Sequence, residues 1–221
     1  MIEIEIEIEA LAQHQFTDRV TSEAELRALV GEPRELVIKK QLAALDRHCR
    51  AFIALSPFLL IGTANARGQC DVSPRGDAPG FVLALDDRTL VIPDRPGNRR
   101  IDSLRNIVEH AGVGLLFMVP GVEETLRING TACIVRDADL LARLEAQGKI
   151  PALAIVVEVE EAFLQCPKSL KRSRLWDAAT WPERGALPTL AQILHDQVPM
   201  PDVTVESLDA AFEQSYRERL Y

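Results

Sequence analysis

The sequence predicts a mainly antiparallel β protein with helices, a Greek-key barrel closed or nearly closed. Three observations carry this. From Pro57 onward, short Val/Ile/Leu-rich segments recur at residues 58–65, 69–73, 81–85, 89–93, 113–119, 124–136 and 153–163. Turn signals such as Ala66-Arg67-Gly68, Asp86-Asp87 and Pro120-Gly121 separate them. Most connections are too short for parallel crossovers, so neighbouring strands run antiparallel. Two helices, at 98–110 and 138–147, interrupt the strands and would pack outside the barrel.

The flanks are helical. Ser22 and Glu25 have capping-box spacing, and the helix they open should stop at Gly31. Pro33 suits the first turn of a second helix running to about Leu55, along which Leu42, Leu45, Cys49, Phe52 and Ile53 recur with helical period. Beyond Cys166 helical patterns return at about 189–196 and 205–220, and the Pro- and charge-rich stretch 167–188 between them reads as a surface excursion. At the start, Ile2, Ile4, Ile6 and Ile8 alternate with glutamates, as in an edge strand or a disordered tail. The whole is expected to be one domain over 1–221: an N-terminal helical arm (1–56), a barrel (57–165) and a C-terminal loop with helices (166–221).

Composition narrows the function. The 221 residues carry a net charge of -8, which argues against general binding to nucleic acid or anionic membranes, since both need a positive surface. Cys49, Cys70, Cys133 and Cys166 are scattered without a C-x-x-C pair and read as reduced thiols of a cytoplasmic protein. No apolar run of about 18 residues is present to span a bilayer, and the start lacks signal-peptide character. His14, His48, His110 and His195 show no metal-ligand spacing. The His195-Asp196 pair sits near a helix end, where a surface histidine is favoured by the dipole. G-x-S-x-G, Walker and G-x-G-x-x-G sequences are absent.

One stretch stands out electrostatically. I-P-D-R-P-G-N-R-R-I-D-S, residues 92–103, should end a strand, turn at Pro96-Gly97 and open a helix at Asn98, with Arg99 and Arg100 in its first turn. Cations are disfavoured there by about 0.3 to 1 kcal/mol each. Either the arginines are solvated and partly neutralised by Asp94 and Asp102, or they close over a phosphate that the first-turn N–H groups also bind. Asn98 is a preferred N-cap.

These residues carry a resemblance. F-L-L-I-G-T-A-N, then C-D-V-S-P-R-G-D at 70–77, T-L-V-I-P-D-R-P-G-N-R-R-I-D-S-L-R-N-I from Thr89, V-G-L-L-F from Val113 and E-T-L-R-I-N-G-T-A from Glu124 resemble the pyridoxamine phosphate oxidase-like flavoproteins, the FMN-binding split β-barrels. C-P-K-S-L-K-R-S-R-L-W at 166–176 resembles an uncharacterised FMN-dependent subgroup of that family. The resemblance implies a homodimer with FMN in the clefts between protomers. It places Asn98, Arg99 and Arg100 at the turn holding the FMN phosphate and Arg75 at a basic position beside it. Three arginines converging on one turn favour the phosphate over solvated charge.

Other implied contacts have alternatives. Thr125 matches a side-chain amide position of the family. Arg127 and Asn129 share a strand face and would touch FMN polar atoms, or Arg127 pairs with a carboxylate at the dimer surface. Ser73 donates to the flavin or serves a turn beside Pro74. Lys168, Arg172 and Trp176 reach the partner's flavin, or Trp176 anchors its own loop. The expected function is an FMN-dependent oxidoreductase acting on a small molecule, since the flavin supplies the redox chemistry and no acid or base motif is needed. The alternative is a flavin- or ligand-binding dimer without turnover, distinguished by whether reduced FMN is reoxidised by a second substrate. A third reading, a structural dimer without cofactor, is opposed by Arg75 and the 98–100 cluster.

Overall fold

In the computed structural model, residues 18–221 are described; the Ile/Glu repeat and His14 lie outside them. The chain divides into two units, Met1–Lys39 and Lys40–Tyr221. In the first, helix α1 (Glu23–Val30) opens on the capping box of Ser22 and Glu25 and closes at Gly31, whose φ of 76° is a conformation glycine adopts without strain. A short helix α2 (Glu35–Lys39) follows.

The second unit holds the barrel. Helix α3 (Arg47–Leu55) is separate from α2, so the long helix expected over residues 33–55 is in fact two. Asp46 breaks it by capping α3, its carboxylate accepting from the His48 and Cys49 N–H groups. Leu42 leaves the helical course and bridges to Ala162. The strands are β1 (Phe58–Ala64), β2 (Cys70–Gly76), β3 (Leu83–Ala84), β4 (Thr89–Pro93), β5 (Gly112–Met118), β6 (Thr125–Val135) and β7 (Ala154–Gln165). They form one antiparallel sheet in the order β2-β1-β5-β6-β7-β4-β3.

That order forces curvature. β2 and β3 are the two edges, yet only residues 77–82 join them. Laid flat, the edges would lie about 29 Å apart at ~4.8 Å per strand. The chain from Gly76 to Leu83 reaches at most about 25 Å. The sheet therefore curls until its edges approach without pairing, which is a split barrel.

Alternation fills the inside. Leu59 and Ile61 of β1, Leu115 and Phe117 of β5, Leu126 and Ile128 of β6, and Ile155 and Val157 of β7 form the core, which Cys49 and Ile53 of α3 close. A smaller cluster lies on the other face, where Leu141 of α5 (Ala138–Ala142) and Leu144 cover Val91 and Ala154. β6 bends at a bulge between Asn129 and Gly130. Helix α4 (Asp102–Glu109) packs on β1, β2 and β6, burying Leu104 and Ile107. The C-terminal stretch contributes α6 (Lys168–Ser173), α7 (Leu190–Gln197) and α8 (Val205–Glu218). The excursion is thus partly structured, and Leu170 of α6 is buried.

Candidate functional site

β2 runs along an edge, and its residues alternate between faces. Asp71, Ser73 and Arg75 sit opposite Thr63, Ile61 and Leu59, so three polar side chains lie on the face that is the core elsewhere. Each requires a partner. Asp71 accepts from Ser103 Oγ at 2.9 Å, at the start of α4. Arg75 donates from Nη1 to Ser73 Oγ and, at 2.8 Å, to the Pro74 carbonyl. Its Nε is buried and has no partner among the described residues. Burial pushes the guanidinium pKa down, and the charges of Asp94 and Asp71 work against that. Asp94, in turn, is pushed up by its own burial, with Arg75 opposing.

The segment after β4 differs from expectation. The helix starts at Asp102, not at Asn98, so Arg99 and Arg100 lie before it instead of in its first turn. Asn98 caps no helix: its Oδ1 accepts from the Arg100 N–H at 3.0 Å, a local turn that Asn forms readily. Arg99 and Ile101 take left-handed φ angles of 61° and 55°. For a β-branched isoleucine that is unusual, and strain of this kind, about 1–3 kcal/mol per residue, gathers at ligand clamps. The sequence hides it because neither residue is glycine. The N-terminus of α4 has Ile101 at its cap position and no side-chain capping bond. Its first-turn N–H groups are therefore left to other acceptors.

Arg100 is already paired. Its Nε meets Asp102 Oδ2 at 2.8 Å, and Arg105 takes the other oxygen at 2.9 Å. This is the neutralisation by Asp102 that the sequence allowed. The structure joins Arg75 with Ser73, but no hydrogen bond or ion pair links Arg75 to Asn98, Arg99 or Arg100 among the described residues.

A second group lies on the opposite face of the sheet. Registered neighbours form a row Pro74–Leu60–Leu116–Arg127–Phe163, beside a row Val72–Gly62–Gly114–Asn129–Glu161. Thr125 is opposite Gln165 in the next row. Arg127 stands over the Phe163 ring at 5.7 Å, and Lys40 reaches the same ring at 5.3 Å. Within the protomer, Arg127 thus has an aromatic partner. Asn129 donates to Glu161 at 3.4 Å.

The third group is around α6. Trp176 Nε1 donates to the Val122 carbonyl at 2.9 Å, anchoring the helix to the loop before β6. Lys171 pairs with Glu123, and Arg174 with Asp177. Lys168 and Arg172 point outward. A groove of about 810 Å³ lined by Asp86, Arg88, Thr131, Cys133 and Glu158 contains none of these residues. His195 and Asp196 do not bond; Asp196 accepts from Gln192.

Sequence reasoning missed Asp71, Asp77, Arg95 and Ser103. The signal was there: polar residues two apart in a strand whose neighbours face a core must be engaged by something across the barrel mouth.

The conserved-domain description of pyridoxamine 5'-phosphate oxidase matches residues 45–166, more than half of the chain. The chain belongs to the pyridoxamine 5'-phosphate oxidase family. No curated protein matches its sequence. Among solved structures it is similar to HupZ of group A Streptococcus, with 19% identity over 54% of this chain and 93% of that one and a TM-score of 0.45. It is also similar to an FMN-binding protein of Syntrophomonas wolfei (11% identity, 65% and 93% covered, TM-score 0.41). A third is the FAD binding protein of Mycobacterium smegmatis (16% identity, 56% and 97% covered, TM-score 0.39). In this pyridoxamine 5'-phosphate oxidase family chain the matched region runs from the start of α3 to the end of β7 and so includes the β2 edge and the segment before α4. Helix α6 and Trp176 lie beyond it, while their partners Val122 and Glu123 lie within it.

Proposed function

We propose that the protein is an FMN-dependent oxidoreductase acting as a homodimer. Arg75 carries the reading. Its buried Nε has no acceptor among the described residues, on the edge strand whose Asp71 bonds Ser103 at the uncapped start of α4, and a phosphate would supply oxygens to both. The residues fit that group: Arg75 and the first-turn N–H groups of α4 would hold it, with Ser73 beside them and Asn98, Arg99 and Arg100 forming the rim. Family membership supports a flavin as the rest of the ligand. When bound, the flavin supplies the redox chemistry by accepting or giving a hydride. The protein's part is to orient it and to keep charge beside it.

The outer rows support the dimer. Phe58, Leu60, Val72, Pro74, Leu116 and Met118 make a mostly apolar sheet face, with Gly62 and Gly114 side by side in its middle and the Asn129 Oδ1 against Gly114. A second copy would cover it, and a planar ring can approach backbone where no Cβ intervenes. Thr125, Arg127 and Asn129 lie on the same face, and Lys168, Arg172 and Trp176 belong to the α6 region just past Gln165, positions from which they would meet a cofactor or an acidic substrate at that interface.

The test is titration of the purified protein with FMN and with riboflavin, read by visible absorption and flavin fluorescence. FMN should bind far more tightly than riboflavin. Reduced FMN on the protein should then be reoxidised faster when a second substrate, oxygen or a quinone, is supplied. Equal affinity for the two flavins would overturn the phosphate assignment.

A further inference from the structure

Two segments meet beside Arg75: the end of β2 and the residues after β4. They are joined by a pair of charges with little access to water. Asp77 Oδ2 accepts from Arg95 Nε at 2.6 Å, with the Asp77 side chain 3% exposed and that of Arg95 15% exposed. Asp77 lies two residues beyond Arg75, and Arg95 one residue beyond Asp94. The pair therefore sits within two residues of Arg75 on one segment and next to Asp94 on the other.

A third residue joins this pair from far along the chain. Tyr221 donates its hydroxyl to Asp77 Oδ1 at 2.5 Å, and its ring lies 5.6 Å from the Arg95 guanidinium carbon. Both oxygens of Asp77 are thus engaged, Oδ1 also accepting from the Ala78 N–H at 2.7 Å. A buried carboxylate with all its partners in place fixes the backbone on both sides of it. Here those backbones are the strand end that carries Arg75 and the segment that leads to the strained residues before α4.

We propose that Tyr221 is a positioning residue for the phosphate site: by holding Asp77 and Arg95 together it sets the β2 end and residues 94–101 in the arrangement that receives a flavin phosphate. This rests on the phosphate reading above. The C-terminal segment following α8 thereby acts on cofactor affinity without touching the cofactor.

The test uses the full chain with Tyr221→Phe, which removes only the hydroxyl, and Tyr221→Ala, which also removes the ring. FMN and riboflavin affinities are measured by fluorescence titration, and hydrogen exchange is followed over residues 94–101. Tyr221→Phe should weaken FMN binding about tenfold, the order expected for one hydrogen bond to a charged group. Riboflavin binding should not change, exchange over 94–101 should speed up, and Tyr221→Ala should be at least as severe. An FMN affinity unchanged in both variants, or an equal loss for FMN and riboflavin, overturns the positioning role while the wild-type preference for FMN stands. A wild-type protein that does not prefer FMN to riboflavin overturns the phosphate reading and this role with it.

Discussion

Asn106 donates from Nδ2 to Thr63 Oγ1 at 3.0 Å, and both side chains are buried. With Ser103 bonded to Asp71, this pins α4 to β1 and β2 at two points one helical turn apart. The start of α4 is therefore held at a fixed height over the β2 edge.

Removing one member of the pair should be expensive. Asn106→Ala leaves the Thr63 hydroxyl without its partner, at a cost of about 1–3 kcal/mol. Urea denaturation should show the midpoint falling with little change in slope. A midpoint equal to wild type would mean that α4 is held by its apolar face alone.

Arg75→Ala should lower FMN affinity by about 1.5–3 kcal/mol, the range for charge-assisted bonds, and leave riboflavin affinity nearly unchanged. Arg100→Ala should do less, because Arg100 is exposed and already paired with Asp102. Isothermal titration of both variants ranks the two arginines. If Arg100 matters more, the phosphate lies at the rim and not at the β2 edge.

Gly130→Ala tests the bulge. A Cβ there would lie 1.9 Å from the Glu158 carbonyl oxygen and 3.0 Å from its carbon, both of them backbone atoms of β7. No rotamer relieves that contact, so a loss of about 3 kcal/mol or more is expected. The melting temperature should drop by roughly 6–12 °C at this chain length. A variant that melts with wild type would show that the two strands can separate locally at no cost.

Asp77 gives a pH signature. Burial acts to raise its pKa, but the hydrogen bonds from Tyr221 and the Ala78 N–H, together with Arg95, outweigh it and hold the group below the ordinary carboxylate value. Its folded pKa is thus lower than its unfolded one, so the stabilisation is full above the unfolded value near 4 and is lost as pH falls through the folded one. The stability difference between wild type and Asp77→Asn should be constant from pH 7 to 5 and shrink towards pH 3. A difference that grows on acidification would reverse the assignment.

Leu116→Arg addresses assembly. Leu116 occupies the middle of the outer row with Leu60 on one side and Arg127 on the other. If the proposed dimer covers this face, a guanidinium there would be buried in the interface without a partner charge, and sedimentation should shift from dimer to monomer. A variant that remains dimeric would place the interface elsewhere.

The seven strands were legible because period-two alternation and Gly/Asp turns are local signals, and each observed strand lies within a few residues of its expected span. The α1 capping box was legible for the same reason. The break before α3 was not: Leu42 and Leu45 keep helical spacing, and only the bridge from Leu42 to Ala162 shows why they are spent on the barrel. The late start of α4 was hidden by Arg99 and Ile101, which adopt backbone angles their side chains disfavour. Tyr221 was illegible in principle, since its partner Asp77 lies 144 residues away and no pattern couples them.

Strand order also governs how the chain acquires this shape. β4, buried along Leu90, Val91 and Ile92, waits for β7 to pair with it, and β7 follows α4, β5, β6 and α5 in the chain. During synthesis the apolar β4 segment leaves the ribosome long before the strand that shields it. Non-local pairing of this kind slows folding and leaves an interval in which such a segment can join another chain. The step that shields β4 is thus the one most exposed to misassembly when the protein is made quickly.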